Sequence, residues 1–185
     1  MFFTAGIIPT FLDMSLTKTA VNCFVGAWGF INSSLVNTTT GDLVPGDWAY
    51  PVPSGMSLYT PNGYCALLVT ANDTTKPELR PTYLDQSDYS SGTDAEWALI
   101  GKYSIAGAGP YRLSNVTGGN GTGTGPEGTV TGEFLTATLP SRIGPFEFTF
   151  KFYDDCSVWN LHQTTGVDTE RVAWYEKLPD QDVYG

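Results

Sequence analysis

Pro145-Phe-Glu-Phe-Thr-Phe-Lys-Phe152 decides the fold. Phe146, Phe148, Phe150 and Phe152 fall on one parity, and Glu147, Thr149 and Lys151 on the other. Successive side chains of a strand point to opposite faces, so this stretch is a strand with one face in aromatic core and the other in water. Toward the C-terminus, Asp154-Asp155 reads as a turn, residues 157–163 as a strand, Gly166 as another turn and residues 170–177 as a further strand. Toward the N-terminus, residues 129–139 form a strand behind Gly118-Gly-Asn-Gly-Thr-Gly-Thr-Gly125, a tract without apolar side chains that reads as a flexible hairpin loop. Residues 97–106 and 111–116 are read as two strands joined by a turn at Gly107-Ala-Gly-Pro110. Pro61-Asn62-Gly63 separates the apolar runs 56–60 and 64–70, and Asn-Gly tolerates positive φ at both central positions of a tight hairpin turn, so the two runs are expected to lie antiparallel. Phe24, Trp28 and Phe30 share one parity in the first strand. Only residues 12–23 read as a helix, with Asp13 or Ser15 as its cap.

These elements amount to eight or nine strands linked locally, and a meander of that length hides its edges by closing on itself. The expected fold is all-β: one up-and-down antiparallel barrel over residues 24–178, behind an N-terminal segment, 1–23, that carries the short helix. Composition agrees, because 21 Gly and 12 Pro in 185 residues, with 14% aromatics, favour short strands and turns over a helical bundle.

A formal charge of −10 repels phosphate backbones, so nucleic acid is not an expected partner. No apolar run approaches the eighteen residues of a membrane-spanning helix. Neither a metal nor another cofactor is expected. The chain has one histidine and no Cys-x-x-Cys, and the glycine-rich tract lacks the Lys-Ser/Thr of a phosphate loop and runs into Pro126-Glu-Gly-Thr-Val-Thr131, which is not a helix. Cys23, Cys65 and Cys156 are read as three small buried thiols in a reducing compartment, one bridge being the alternative. The apolar N-terminus has no basic start and no long uninterrupted apolar run, which points to the cytoplasm. The sequons at Asn32, Asn37, Asn72, Asn115 and Asn120 keep a secreted protein as the alternative.

Gly26-Ala27-Trp28, behind a short helix, resembles the glycine-x-tryptophan signature of the lipocalins. The order of landmarks is similar to that of the small bacterial and fungal lipocalin-like domain family: Phe24-Val-Gly-Ala-Trp28, Gly55-Met-Ser-Leu-Tyr59-Thr-Pro-Asn-Gly-Tyr64, Gly101-Lys-Tyr103 and Val172-Ala-Trp174-Tyr-Glu-Lys177. The resemblance implies a barrel with a cavity open at one end for small apolar or amphiphilic molecules. Some relatives resemble cofactor-free cyclases or isomerases of secondary metabolism. Two departures stand out. Relatives close with Trp-x-Arg where this chain has Trp174-Tyr-Glu-Lys177, and the glycine-rich loop is longer than the family norm.

The expected ligand is a small hydrophobic, oxygenated molecule, polyketide- or terpenoid-like. The leading functional expectation is its cyclisation or isomerisation without a cofactor, by conformational preorganisation and a hydrogen bond to a carbonyl. Passive carriage of the ligand is the alternative. Phe146, Phe148, Phe150 and Trp159 are the candidate cavity wall, and Trp28 a plug beneath the cavity. Tyr59 and Tyr103 could donate to a carbonyl oxygen or reach water at the rim. Arg112 could hold a carboxylate or enolate, or be an outer-face charge. His162 is the default acid or base, although burying Trp159 and Leu161 turns it outward. Glu133 is read as exposed, and Asp154 and Asp155 as turn residues and not a catalytic pair.

Overall fold

The computed structural model describes residues 11–44, 53–72, 84, 87–118 and 124–182. It is mostly strand. A helix, α1 (Phe11–Phe24), leads into β1 (Gly26–Asn37), β2 (Pro53–Tyr59) and β3 (Tyr64–Ala71). After a second helix, α2 (Asp94–Lys102), come β4 (Ser104–Gly118), β5 (Thr124–Phe134), β6 (Thr136–Ala137), β7 (Gly144–Tyr153), β8 (Val158–Thr164) and β9 (Thr169–Lys177). Every pairing is antiparallel. Eight strands close in chain order, β6 being the extra one, and the seam joins β1 to β9 from Trp28↔Lys177 to Asn37↔Thr169. A bulge between Phe30 and Asn32 interrupts that seam. Trp28 and Phe30 face inward on one parity of the strand, and Ile31, within the bulge, is exposed.

The expected antiparallel hairpin at residues 60–63 is present, with β2 paired to β3 from Tyr59↔Cys65 onward, but of its two central residues only Gly63 takes positive φ, +82°, and Asn62 does not. The Gly63 N–H donates to the Thr60 carbonyl at 3.1 Å. Gly63→Val should destabilise the barrel by about 1 to 3 kcal/mol, because a β-branched residue is strained at positive φ. An unchanged thermal midpoint would show that this turn tolerates other conformations.

Several sequence expectations are corrected. Residues 97–106 are not one strand: α2 ends at Lys102 and β4 starts at Ser104. The helix is set by a capping box. The Thr93 hydroxyl accepts from the Glu96 N–H, and Glu96 Oε2 accepts from the Thr93 N–H at 2.7 Å. Gly107-Ala-Gly-Pro110 is not a turn but the middle of β4, so residues 97–106 and 111–116 are not partner strands. These glycines serve close approach. A Cβ on Gly109 would meet the Glu133 carbonyl oxygen, and one on Gly107 would stand 3.0 Å from the Phe134 ring. The strand expected over 129–139 starts earlier and breaks at Leu135 into β5 and β6. The two lie in line along β4, which pairs β6 at Gly107 and Ala108 and β5 from Tyr111 onward. Helix α1 begins ahead of both Asp13 and Ser15, so neither caps it, and Phe24 belongs to the helix and not to the first strand. Residues 119–123 of the glycine-rich tract, 1–10 at the N-terminus, Asp85 and the sequon residue Asn120 lie outside the described residues.

The cysteines do not stand as three buried thiols. Cys23, at the end of α1, is bonded to Cys156 in the β7–β8 turn, and Cys65 is the buried free thiol. Asp154, Asp155 and Cys156 all adopt positive φ, so the turn expected at the two aspartates is present in a left-handed form. Helix α1 thereby caps one end of the barrel. Phe24 is wholly buried there, within 4.8 to 5.1 Å of the rings of Tyr59, Phe150, Phe152 and Trp159.

Candidate functional site

The other end of the barrel carries a cavity, and strand parity says which side chains reach it. On β7 the inward residues Phe146 and Phe148 line it, on β8 Leu161 and Gln163, and on β9 Arg171, Ala173 and Tyr175. Phe30, Leu67, Val69, Ile105 and Phe134 complete the apolar wall. Arg142 comes from a 3₁₀ turn, Pro140–Arg142, in the connection ahead of β7. The free volume is about 70 Å³, within a funnel of about 550 Å³ that includes its open mouth. The enclosed part is well below the roughly 300–1,000 Å³ of a drug-sized pocket.

Gln163 and Arg171 are register partners on adjacent strands, and Tyr175 lies four residues beyond Arg171 on the same face. Tyr175 is 7% exposed, and its ring stacks on Trp159 with centroids 4.6 Å apart. Burial pushes its phenol up to about 12, against the opposing pull of the Arg171 and Arg142 guanidiniums. Tyr175 is therefore a neutral hydroxyl near neutral pH, with both cations close enough to act on it. The apolar funnel thus carries a polar group made of two guanidiniums, one amide and one phenol.

The residues proposed from sequence are placed as follows. Phe146 and Phe148 line the cavity. Phe150 does not; it packs deeper, against Phe24. Trp159 is fully buried beneath the cavity, between Phe148 and Tyr175, and does not line it. Trp28 is fully buried in the core cluster at the capped end, and its indole N–H donates to the Phe24 carbonyl at 2.7 Å. The ammonium of Lys177 lies 5.5 Å from the Trp28 ring centroid, so a lysine supplies a cation there although the expected Trp-x-Arg is absent.

Tyr59 is in the core at the capped end, away from the cavity. Burial, reinforced by Tyr175, Cys65 and Tyr111, holds its phenol well above the ordinary value. Tyr103 is half-buried at the C-terminal end of α2, with the Lys102 ammonium 5.2 Å from its ring centroid. Arg112 is exposed on the outer face of β4, since Ile105, Gly107, Gly109 and Tyr111 hold the buried parity. His162 also faces out, where its Nδ1 pairs with the Glu170 carboxylate in a shallow polar groove beside Thr149 and Lys151. Glu133 is exposed. The structure therefore does not bring Tyr59, Tyr103, Arg112 and His162 together.

The polar groups it does bring together are Arg142, Gln163, Arg171 and Tyr175, none of them singled out from sequence. A signal existed for three of these. Once Trp159 and Leu161 are inward, Gln163 follows on the same parity, and in the adjacent strand Arg171, Ala173 and Tyr175 alternate with Val172 and Trp174. Arg142 enters from a turn, where no periodicity marks it.

Among the described residues, no group of three or more His, Cys, Asp or Glu side chains could hold a metal ion, and no helix is long and apolar enough to cross a membrane. No family model and no curated protein matches the chain. One solved structure, titled as that of a redesigned beta barrel, is similar over 87% of this chain and 96% of that one, at 11% identity and a TM-score of 0.35.

Proposed function

We propose that the protein is a binding barrel for a small hydrophobic molecule with an oxygenated end, held at the open end between Phe30, Phe134, Phe146 and Phe148. The observation that carries this reading is the cavity itself: an aromatic funnel with a few convergent polar groups, the usual composition of a ligand site. The resemblance to lipocalin-like domains supports it. The test is calorimetric titration with 4-phenylbutanol, a neutral probe with an apolar body and one hydroxyl. Binding should fall at least about tenfold in Leu161→Trp, whose larger ring fills the funnel, and hold in Arg112→Met and His162→Ala, which change only the outer face. No binding to the unaltered protein, or no effect of Leu161→Trp in a folded variant, would refute the reading.

Catalysis is the second reading. The donors first expected to act, Tyr59, Tyr103 and Arg112, are not at the cavity, which moves the weight toward binding. Arg142, Arg171 and Tyr175 keep cofactor-free cyclisation or isomerisation of a polyketide- or terpenoid-like intermediate open, because donors aimed at a developing enolate oxygen stabilise it without a nucleophile. Faster conversion of such an intermediate than in buffer, slowed in Arg171→Met, would establish it. The Cys23–Cys156 bond favours the secreted location over the cytoplasmic one, since such bonds persist in oxidising surroundings. The number of free thiols in the native protein, one or three, separates the two.

A further inference from the structure

We infer that the protein carries N-linked glycans on Asn32, Asn37 and Asn115; this rests on the secreted location that the Cys23–Cys156 bond favours. The chain has eight asparagines, and five of them, at 32, 37, 72, 115 and 120, have Ser or Thr two places on with no proline between. Ser and Thr make up 36 of the 185 residues, about one in five, so chance would place one there after only one or two of the eight. The asparagines outside such triplets are Asn22 beside Cys23, Asn62 in the hairpin and Asn160, which is 3% exposed. The disulfide and the triplets are separate observations, and both point to one compartment, the oxidising lumen in which a eukaryotic cell forms such bonds and attaches such glycans.

The fold leaves room for a sugar at all three sites, and none of them lines the funnel. Asn32 is exposed on β1, in register with Trp174, whose neighbours Ala173 and Tyr175 point inward. Asn37 ends β1, where its Oδ1 accepts from the Thr39 N–H at 2.8 Å and the Thr40 N–H at 3.0 Å. A glycan bonds to Nδ2, so both hydrogen bonds persist beneath it. Asn115 is exposed at φ +53°, where the β4–β5 register shifts. It shares an outer groove of about 390 Å³ with Thr117, Thr129, Thr149 and Lys151, so the first sugar would meet polar partners there. The left-handed backbone accounts for an asparagine at 115 and the turn for one at 37, but neither accounts for a hydroxyl two residues on. In the transfer, Nδ2 attacks the anomeric carbon of an oligosaccharide carried on a lipid diphosphate. The C–N bond forms as the C–O bond to phosphate breaks, the amide gives up one proton, and the lipid diphosphate leaves.

The experiment takes the full chain from the cells that make it and measures its intact mass before and after peptide N-glycosidase, which converts each sugar-bearing asparagine to aspartate. A loss of glycan mass is expected, with aspartate then found at positions 32, 37 and 115. Ser34→Ala, Thr39→Ala and Thr117→Ala, made in the same cells, should each remove one glycan. These variants keep every asparagine, the backbone donors of the Asn37 turn and the positive φ at Asn115, so they test the triplet apart from the fold. Free thiols are counted on the same sample. An unchanged mass with one free thiol, sugar confined to Asn72 or Asn120, or glycan mass undiminished in all three variants would overturn the assignment and leave the secreted location standing. An unchanged mass with three free thiols would overturn the secreted location, and this inference with it.

Discussion

Replacing Cys23 and Cys156 together by alanine, or reducing their bond, is expected to lower the stability of the barrel by about 2 to 5 kcal/mol. The bond links residues 133 apart in sequence, so it closes nearly the whole barrel into one loop and removes much of the freedom of the unfolded chain. It also fixes α1, which is otherwise held on the barrel by packing and by the Trp28 indole N–H that donates to the Phe24 carbonyl. Urea denaturation with and without reductant measures the effect, with thiol titration of the native protein as companion. One reactive thiol after unfolding without reductant, that of Cys65, and a midpoint that falls on reduction are expected. Three thiols and an unmoved midpoint would mean that the bridge does not form in solution.

Phe24→Ala should be comparably severe, at about 3 to 5 kcal/mol. The ring is wholly buried and packs edge-on against Phe150, Phe152 and Trp159, with Tyr59 also beside it. Its removal leaves a void at the point where helix meets barrel, and the closed sheet cannot collapse to fill it. Because Phe24 adjoins Cys23, the two losses should not add. Once the helix has lost its anchor, the bond has less to hold in place. Chemical denaturation of the single and combined variants gives the coupling directly, and a Phe24→Ala loss below about 1 kcal/mol would show that α1 contributes little to the core.

Much of the barrel was legible because strand parity is a local property. The phenylalanine alternation in β7, the Asn62-Gly63 hairpin and the assignment of Trp159 and Leu161 to the inward face of β8 each need only a few neighbouring residues. What failed depended on distant partners or on competing local signals. Trp97-Ala-Leu-Ile100 has the composition of a strand, but Thr93 and Glu96 cap a helix over it. Glycines in β4 look like a turn until the backbone of β5 is seen to lie against them. The Cys23–Cys156 pairing has no local trace at all. The site was misread for a related reason: Tyr59 does point inward, but at the capped end, and parity says nothing about height along a barrel. Arg112 falls on the wrong parity only once β4 is known to run unbroken through Gly107-Ala-Gly-Pro110.

The glycines opposite aromatic rings bear on how this cavity can change over generations. Gly132 sits opposite Phe146 and Gly107 under Phe134, and both rings line the funnel. Along these stretches the shape of the binding space is drawn by rings lying where a neighbouring residue has no side chain. A single methyl at Gly107 would press on the Phe134 ring, which would have to give by a few tenths of an ångström. At Gly132 the intrusion would be larger, reaching the carbonyl of Pro110 as well as the Phe146 ring. The width of the funnel is thus set in part by glycines behind its rings, and a one-codon change there would alter that width while every lining residue stays the same.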